Sequence, residues 1–178
     1  MAENVWLIPL KNLDADARDI KLGEIAELAV TPEQRIFVGD PLRMMLVALE
    51  EGSRHPFVVD SQGSAVGVLT LQSGAATLSG WADDDSAWLL RGFLIDYRQQ
   101  GRGLGTLAAA AAVRQAARLT AARGRAESGV VLSVNEVNPG GRAAYRKAGF
   151  EDRGQYLGGG SGPQRIMYRP FRLGAGNR

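Results

Sequence analysis

The chain has 178 residues, 45% of them hydrophobic, a formal net charge of +2 and no cysteine. That length suits one domain with a sizeable core and leaves too little for a second, so residues 1–178 are expected to form a single domain whose tail, from about 174, is disordered. Lack of cysteine excludes disulfides, thiolate metal sites and acyl-cysteine catalysis, and no metal is called for.

Met1-Ala2-Glu3-Asn4 has neither the basic region nor the apolar stretch of a secretion signal, and no run reaches the roughly 18 apolar residues of a spanning helix. A cytoplasmic protein with no membrane partner is expected. The pI of 9.2 rests on arginine, because lysine occurs only at Lys11, Lys21 and Lys147. Arginine suits phosphate through its planar fork, although a codon bias toward Arg and Ala gives the same composition. Nucleic-acid binding needs basic residues interleaved with stacking aromatics, which only the tail from Arg165 to Arg178 offers in weak form, so no nucleic-acid partner is expected.

In chain order, Val5–Leu10 reads as a first, edge strand ended by Pro9. Asn12 and Asp14 offer helix caps, and the apolar spacing from Asp14 to Val30 predicts one broken helix or two short ones around Gly23. Asp40-Pro41 opens a helix, a cap followed by proline where its missing N–H costs nothing. Phe57–Val59 and Ala65–Leu71 form a hairpin about Asp60–Ser64, with Gly63 at positive φ. Ala75–Leu78 adds a candidate strand before the acidic loop Asp83-Asp84-Asp85, and Ala87–Ile95 is apolar enough to be central and covered on both faces. Thr106–Ala122, dense in alanine, is predicted as the main helix. Gly129 begins a buried strand reaching about Asn138, where Pro139-Gly140-Gly141 breaks it. Arg142–Ala148 is a short helix ended by Gly149, and Arg165–Tyr168 is a closing strand.

The chemistry centres on strand, then Gln100-Gly101-Arg102-Gly103-Leu104-Gly105, then helix. This order converges backbone N–H groups and the positive helix end on an anion, with glycines that admit a pyrophosphate. Alone, such a loop is a nucleotide fingerprint or simply a tight turn. Its spacing is neither that of a Walker loop nor a clean dinucleotide fingerprint.

Arg91-Gly92-Phe93-Leu94-Ile95-Asp96 leading into Gln100-x-x-Gly103-x-Gly105 resembles the acetyl-CoA signature of GNAT-superfamily N-acetyltransferases. Asn138 with Ala143–Phe150 resembles their second signature. The resemblance spans roughly residues 5–172. Pro32-Glu33-Gln34, Phe37-Val38 and Leu94-Ile95-Asp96 are further similar to the bacterial diamine and spermine/spermidine acetyltransferase branch. That branch often has a Gly-Glu pair before the last strand, where this chain has Gly162-Pro163-Gln164, so one carboxylate suited to a polyamine is missing.

The resemblance implies an α/β (α+β) GNAT fold: a mixed, mostly antiparallel sheet of about six to seven strands, about four flanking helices, and a V-shaped splay between the two central strands. It also implies acetyl-CoA as co-substrate, a primary amine as acceptor and a homodimer. Leu94 and Ile95 would pair with the pantetheine arm, Gln100, Gly101, Arg102, Gly103, Leu104, Gly105 and Thr106 would hold the pyrophosphate, and Asn138 would contact the cofactor. Tyr145 would be the general acid.

Direct transfer needs a neutral amine, yet an alkylammonium of pKa near ~10.4 is only about 0.1% neutral around pH 7.4. Glu136, the acidic loop and a water chain are candidate proton acceptors. Glu33, Asp83 and Asp84 are candidate substrate contacts, while Asp83–Asp85 also reads as an exposed turn and Glu136 as a solvated strand residue. His55 reads as a loop residue beside Pro56. Trp6, Trp81 and Trp88 wall a cleft or pack in core and rim. The expected activity is acetyl-CoA-dependent N-acetyl transfer to an amine such as a polyamine or diamine. The alternatives are a non-catalytic acyl-CoA sensor, or an enzyme acting on an antibiotic, amino acid or protein amine.

Overall fold

The hairpin of β2 (Arg54–Ser61) and β3 (Ser64–Gln72) turns on Gln62 and Gly63, both at positive φ, 56° and 86°, the handedness that matches the twist of paired strands. β1 (Trp6–Pro9) adds to β2 antiparallel at the edge, as its proline predicts. The computed structural model describes residues 3–172, so the expected tail disorder lies outside the described residues. β4 (Trp88–Ile95), β5 (Gly129–Asn135), β6 (Glu151–Tyr156) and β7 (Gln164–Pro170) complete a seven-stranded sheet in the order β1-β2-β3-β4-β5-β7-β6.

Every neighbouring pair is antiparallel except β4 with β5, and these two pair only at Trp88↔Val130 and Leu89↔Val131. Beyond Leu89 they diverge, which is the splay the family likeness implies.

Helices cover both faces. α4 (Leu104–Arg123) lays Ala108, Ala109, Ala112 and Ala116 against the sheet with no exposure, because alanine lets helix and sheet approach closely. Trp88 joins this core and donates from Nε1 to Thr120 Oγ1 at 2.7 Å. On the opposite face α1 (Ala15–Ala26) and α3 (Pro41–Glu50) bury Ile25 and Met45 against Val58, Val68 and Leu94. α5 (Pro139–Lys147) and the six-residue α2 (Pro32–Phe37) flank the splay, so four longer helices and one short one among the described residues surround the sheet. No helix among the described residues is long and apolar enough to cross a membrane.

A bulge in β4 shapes the splay. Thr70 pairs with Arg91 but Val68 pairs with Leu94, so β4 carries one extra residue there, with Gly92 at φ 57°. Leu90 and Ile95, five positions apart, consequently share one core, which an unbroken two-residue pleat forbids.

Several elements differ from the sequence reading. Ala75–Leu78 is no strand: Ala76–Ser79 is a 3-10 turn, since Asp84 Oδ1 accepts from Thr77 N and Oγ1 at 2.9 and 2.6 Å and leaves that amide nothing to offer a neighbour. α1 is one helix, capped by Asp14, with Gly23 inside it. β5 stops at Asn135, whose Oδ1 accepts from Val137 N at 3.0 Å and turns the chain. α5 starts three residues earlier than expected because Pro139 occupies its first turn and Asn138 caps it through Gly141 N. β6 was not foreseen; Glu-Asp-Arg-Gly-Gln-Tyr has no apolar alternation, and edge pairing with β7 makes it a strand.

Candidate active site

Divergence of β4 from β5 opens a cleft with two lobes, of 680 and 580 Å³, sizes typical of small-molecule sites. Phe37, Val38, Phe93, Asn138 and Tyr145 line both lobes and so mark their junction.

The larger lobe runs along the Gln100–Thr106 loop. Gly101 and Gly103 adopt φ 79° and 78°, and a Cβ at either would meet nothing within 4 Å. The glycines are therefore required by backbone conformation, while the space beside them stays open. Gly103 caps α4 without any side-chain hydrogen bond, which leaves the first-turn amides of a 20-residue helix free for an anion. These features fit a diphosphate. Leu94, Ile95, Gln100, Leu104, Gly105 and Thr106 line the same lobe. Gln100 Nε2 donates to Ile95 O at 3.1 Å and Thr106 Oγ1 to Ala144 O at 3.3 Å, fastening the loop to β4 and α5. Arg102 is the exception: its guanidinium binds Glu3 Oε1 at 2.5 Å and is not part of the lobe lining. Only its backbone remains available to a pyrophosphate.

Asp96, which the sequence reading gave no role, anchors this loop. Buried at 3% exposure, its carboxylate accepts from Ala29 N at 3.0 Å and from Arg98 N, Nε and Nη2 at 2.9, 3.0 and 2.7 Å. Burial opposes ionisation, but the bonds from Arg98 and Ala29 outweigh it and hold the carboxyl below its ordinary range.

Tyr145 projects from α5 between two aromatic rings, 6.0 Å from Phe93 and 5.8 Å from Phe150, and packs on the main core. Burial alone pushes its phenol pKa upward, with no hydrogen bond contributing. A phenol is protonated at neutral pH even without a shift, which is the state required of an acid, and the burial makes it a weaker donor rather than a stronger one.

The other expected residues separate. Asn138 lies at the junction while capping α5, and Glu33 lines the cofactor lobe from α2. Glu136 lines neither lobe: its Oε1 accepts from Gln155 Nε2 at 2.9 Å and stands 3.7 Å from Arg165. Asp83 and Asp84 also stay outside, Asp83 bonding Asp85 N and Asp84 holding Thr77. His55 is a β2 residue rather than a loop residue, edge-on to Trp88 at 5.4 Å, its pKa pushed down to about 4 by burial and by Arg123 and Lys11. Two of the three tryptophans follow the packing reading, with Trp88 in the core and Trp81 stacked on Tyr168, while Trp6 on the edge strand is exposed and lines neither lobe. Missed entirely were the charges of the smaller lobe, Asp40, Arg43, Arg54 and Arg91. A signal existed, since Arg91 interrupts an otherwise apolar central strand.

The family model for the Acetyltransferase (GNAT) family matches residues 22–150. Among solved structures, the aminoglycoside acetyltransferase AAC(6')-Ib bound to ribostamycin and coenzyme A is similar at TM-score 0.68 and 18% identity, covering 96% of this chain and 94% of that one. Spermidine N-acetyltransferase from Vibrio cholerae bound to CoA and spermine gives TM-score 0.62 at 14% identity, covering 94% and 95%. An acetyltransferase from Thermus thermophilus gives 0.57 at 21%, covering 95% and 98%. No curated protein matches by sequence. At such identities the structural likeness speaks for the fold. The family match over residues 22–150, with the splayed β4–β5 pair and the open, uncapped loop, shows that the chain belongs to the GNAT family of acetyl-CoA-dependent N-acetyltransferases.

Proposed function

We propose that the chain transfers the acetyl group of acetyl-CoA to a primary amine by direct attack in a ternary complex, with the Tyr145 hydroxyl protonating the departing thiolate. One observation carries this reading: of the five residues common to both lobes, Tyr145 alone has a titratable proton. A thiolate whose conjugate acid has pKa near ~8.5 leaves more readily when a positioned phenol donates to it.

The amides of Gly101 and Gly103–Thr106 hold the pyrophosphate, and Leu94 and Ile95 present β4 to the pantetheine arm as a strand edge. Asn138 stays with the cofactor at the junction. Glu136, engaged with Gln155 and Arg165, is reassigned from base to support of the β6–β7 edge, and water in the open cleft accepts the amine proton. Asp83 and Asp84 are likewise withdrawn from substrate binding, which removes the acidic wall a polyamine would want.

Release of free CoA thiol, followed over a panel of amines, tests the reading. Turnover with at least one primary amine is expected. Silence across polyamines, aminoglycosides, amino acids and peptide N-termini, with CoA bound, would favour a non-catalytic sensor instead.

A further inference from the structure

If acetyl transfer occurs at the junction, the acceptor occupies the smaller lobe, between α3 and the diverging strands. Charge there is unequal: Arg43, Arg54 and Arg91 line it against one carboxylate, Asp40. Arg54 is matched, with Glu51 Oε2 2.9 Å from its Nε. Asp40 is engaged too, its Oδ1 accepting from Arg43 N at 2.9 Å.

Arg91 stands apart. Its side-chain partner among the described residues is neutral: Nη1 donates to Gln72 Oε1 at 2.8 Å. Gln72 is itself buried, 9% exposed, with Nε2 3.4 Å from Ser53 Oγ, so the guanidinium is braced from behind. Half-buried, it loses water, and Arg54 nearby adds repulsion; both depress its pKa below the ordinary value, against a smaller opposing pull from the Glu51 carboxylate that pairs with Arg54. A guanidinium has five donors and stays charged at neutral pH. A desolvated cation with one neutral partner and a second cation close by gains most from an incoming anion.

We propose that the acceptor amine also carries an anionic group, a carboxylate or a phosphate, which Arg91 binds with Arg54 beside it. This assignment rests on the acetyl-transfer reading. Arg91 acts as a specificity determinant, fixing the far end of the substrate while its amine points toward Tyr145. Met44, Val47 and Leu78 give the lobe an apolar wall for an uncharged body between the two ends. With Arg54 paired to Glu51, a polycation would instead meet Arg43 and Arg91 against the single lining carboxylate Asp40, and that excess of positive charge opposes the spermine and aminoglycoside chemistry of the structural neighbours.

Paired acceptors differing only in the anion test this on the wild-type chain: L-lysine against cadaverine, L-phenylalanine against phenethylamine, and O-phosphoethanolamine against ethanolamine. In at least one pair the anionic member is expected to show kcat/KM about ten-fold or more above its partner. The first two pairs report a carboxylate and the third a phosphate. Arg91→Gln should collapse that ratio with CoA Kd unchanged, and Arg91→Lys should restore part of it. If in every pair that turns over the member without the anion, cadaverine, phenethylamine or ethanolamine, equals or exceeds its anionic partner, the proposal is overturned and acetyl transfer is left standing. A ratio that survives in a folded, CoA-binding Arg91→Gln variant overturns it as well. Silence from both members of every pair and from the wider amine panel removes the acetyl-transfer reading and this proposal together.

Discussion

The Asp96 carboxylate accepts a hydrogen bond from the Ala29 N–H at 3.0 Å, joining the segment between α1 and α2 to the residue that leads into the cofactor loop. Burial raises the cost of its charge, and the Arg98 and Ala29 bonds more than offset that cost. A carboxyl held below its unfolded pKa, near ~3.9, contributes stability above that pH and loses it as pH falls through the folded value. Asp96→Asn should destabilise the chain by about 2 kcal/mol in urea denaturation and weaken CoA binding, because the loop loses its anchor. Unchanged values for both would refute the anchoring role.

His55 gives a second pH dependence. Its folded pKa of about 4 lies below the ordinary 6.5, owing to burial and the positive charges of Arg123 and Lys11. Between those values the unfolded chain takes up a proton that the folded chain refuses, so stability falls as pH drops from 6.5 toward 4. With allowance for its partial exposure, about 1 kcal/mol should be lost between pH 7.5 and 5. His55→Phe, which keeps a ring against Trp88, should flatten the stability profile in that window.

Gly103 combines φ 78° with open space, so two substitutions have separable effects. Gly103→Ala should cost about 1 kcal/mol through backbone strain alone. Gly103→Asp adds a carboxylate beside the anion site and should raise CoA Kd by about ten-fold or more, as read by calorimetry. Equal CoA affinity in the parent and the Asp variant would mean that the diphosphate lies elsewhere.

Gly92 holds the β4 bulge at φ 57°, next to Met44 Sδ, which a Cβ would meet at 3.6 Å. That contact is ordinary, so the strain lies in the backbone. Gly92→Ala should cost about 1 kcal/mol, and it should shift acceptor KM more than CoA Kd, because the bulge shapes the smaller lobe.

Strong local signals made most of the fold legible in the sequence. The alanine run of α4, the Asp40-Pro41 start of α3 and the β2–β3 hairpin each follow from short-range chemistry. β6 and the Ala76–Ser79 turn did not, since edge pairing with β7 and the Asp84–Thr77 bonds depend on partners elsewhere in the chain. The cofactor loop was legible for a related reason: its glycines and its helix are contiguous. The smaller lobe was not, because Asp40, Arg54 and Arg91 come from three separate elements, and Asp83, Asp84 and Glu136 proved to be engaged with other groups of the fold outside the cleft. The Gly92 bulge, which no periodicity announces, decides which of those β4 side chains face the cleft.

The proposed chemistry turns on the hydroxyl of Tyr145, a residue that lines both lobes, being the acid of the transfer. Measuring kcat and CoA Kd together for Tyr145→Phe isolates that role, since removing one oxygen leaves the contacts with Phe93 and Phe150 in place. A fall in kcat of about a hundred-fold or more is expected, with CoA Kd unchanged. A Phe variant that turns over at the parent rate would rule the tyrosine out as the acid.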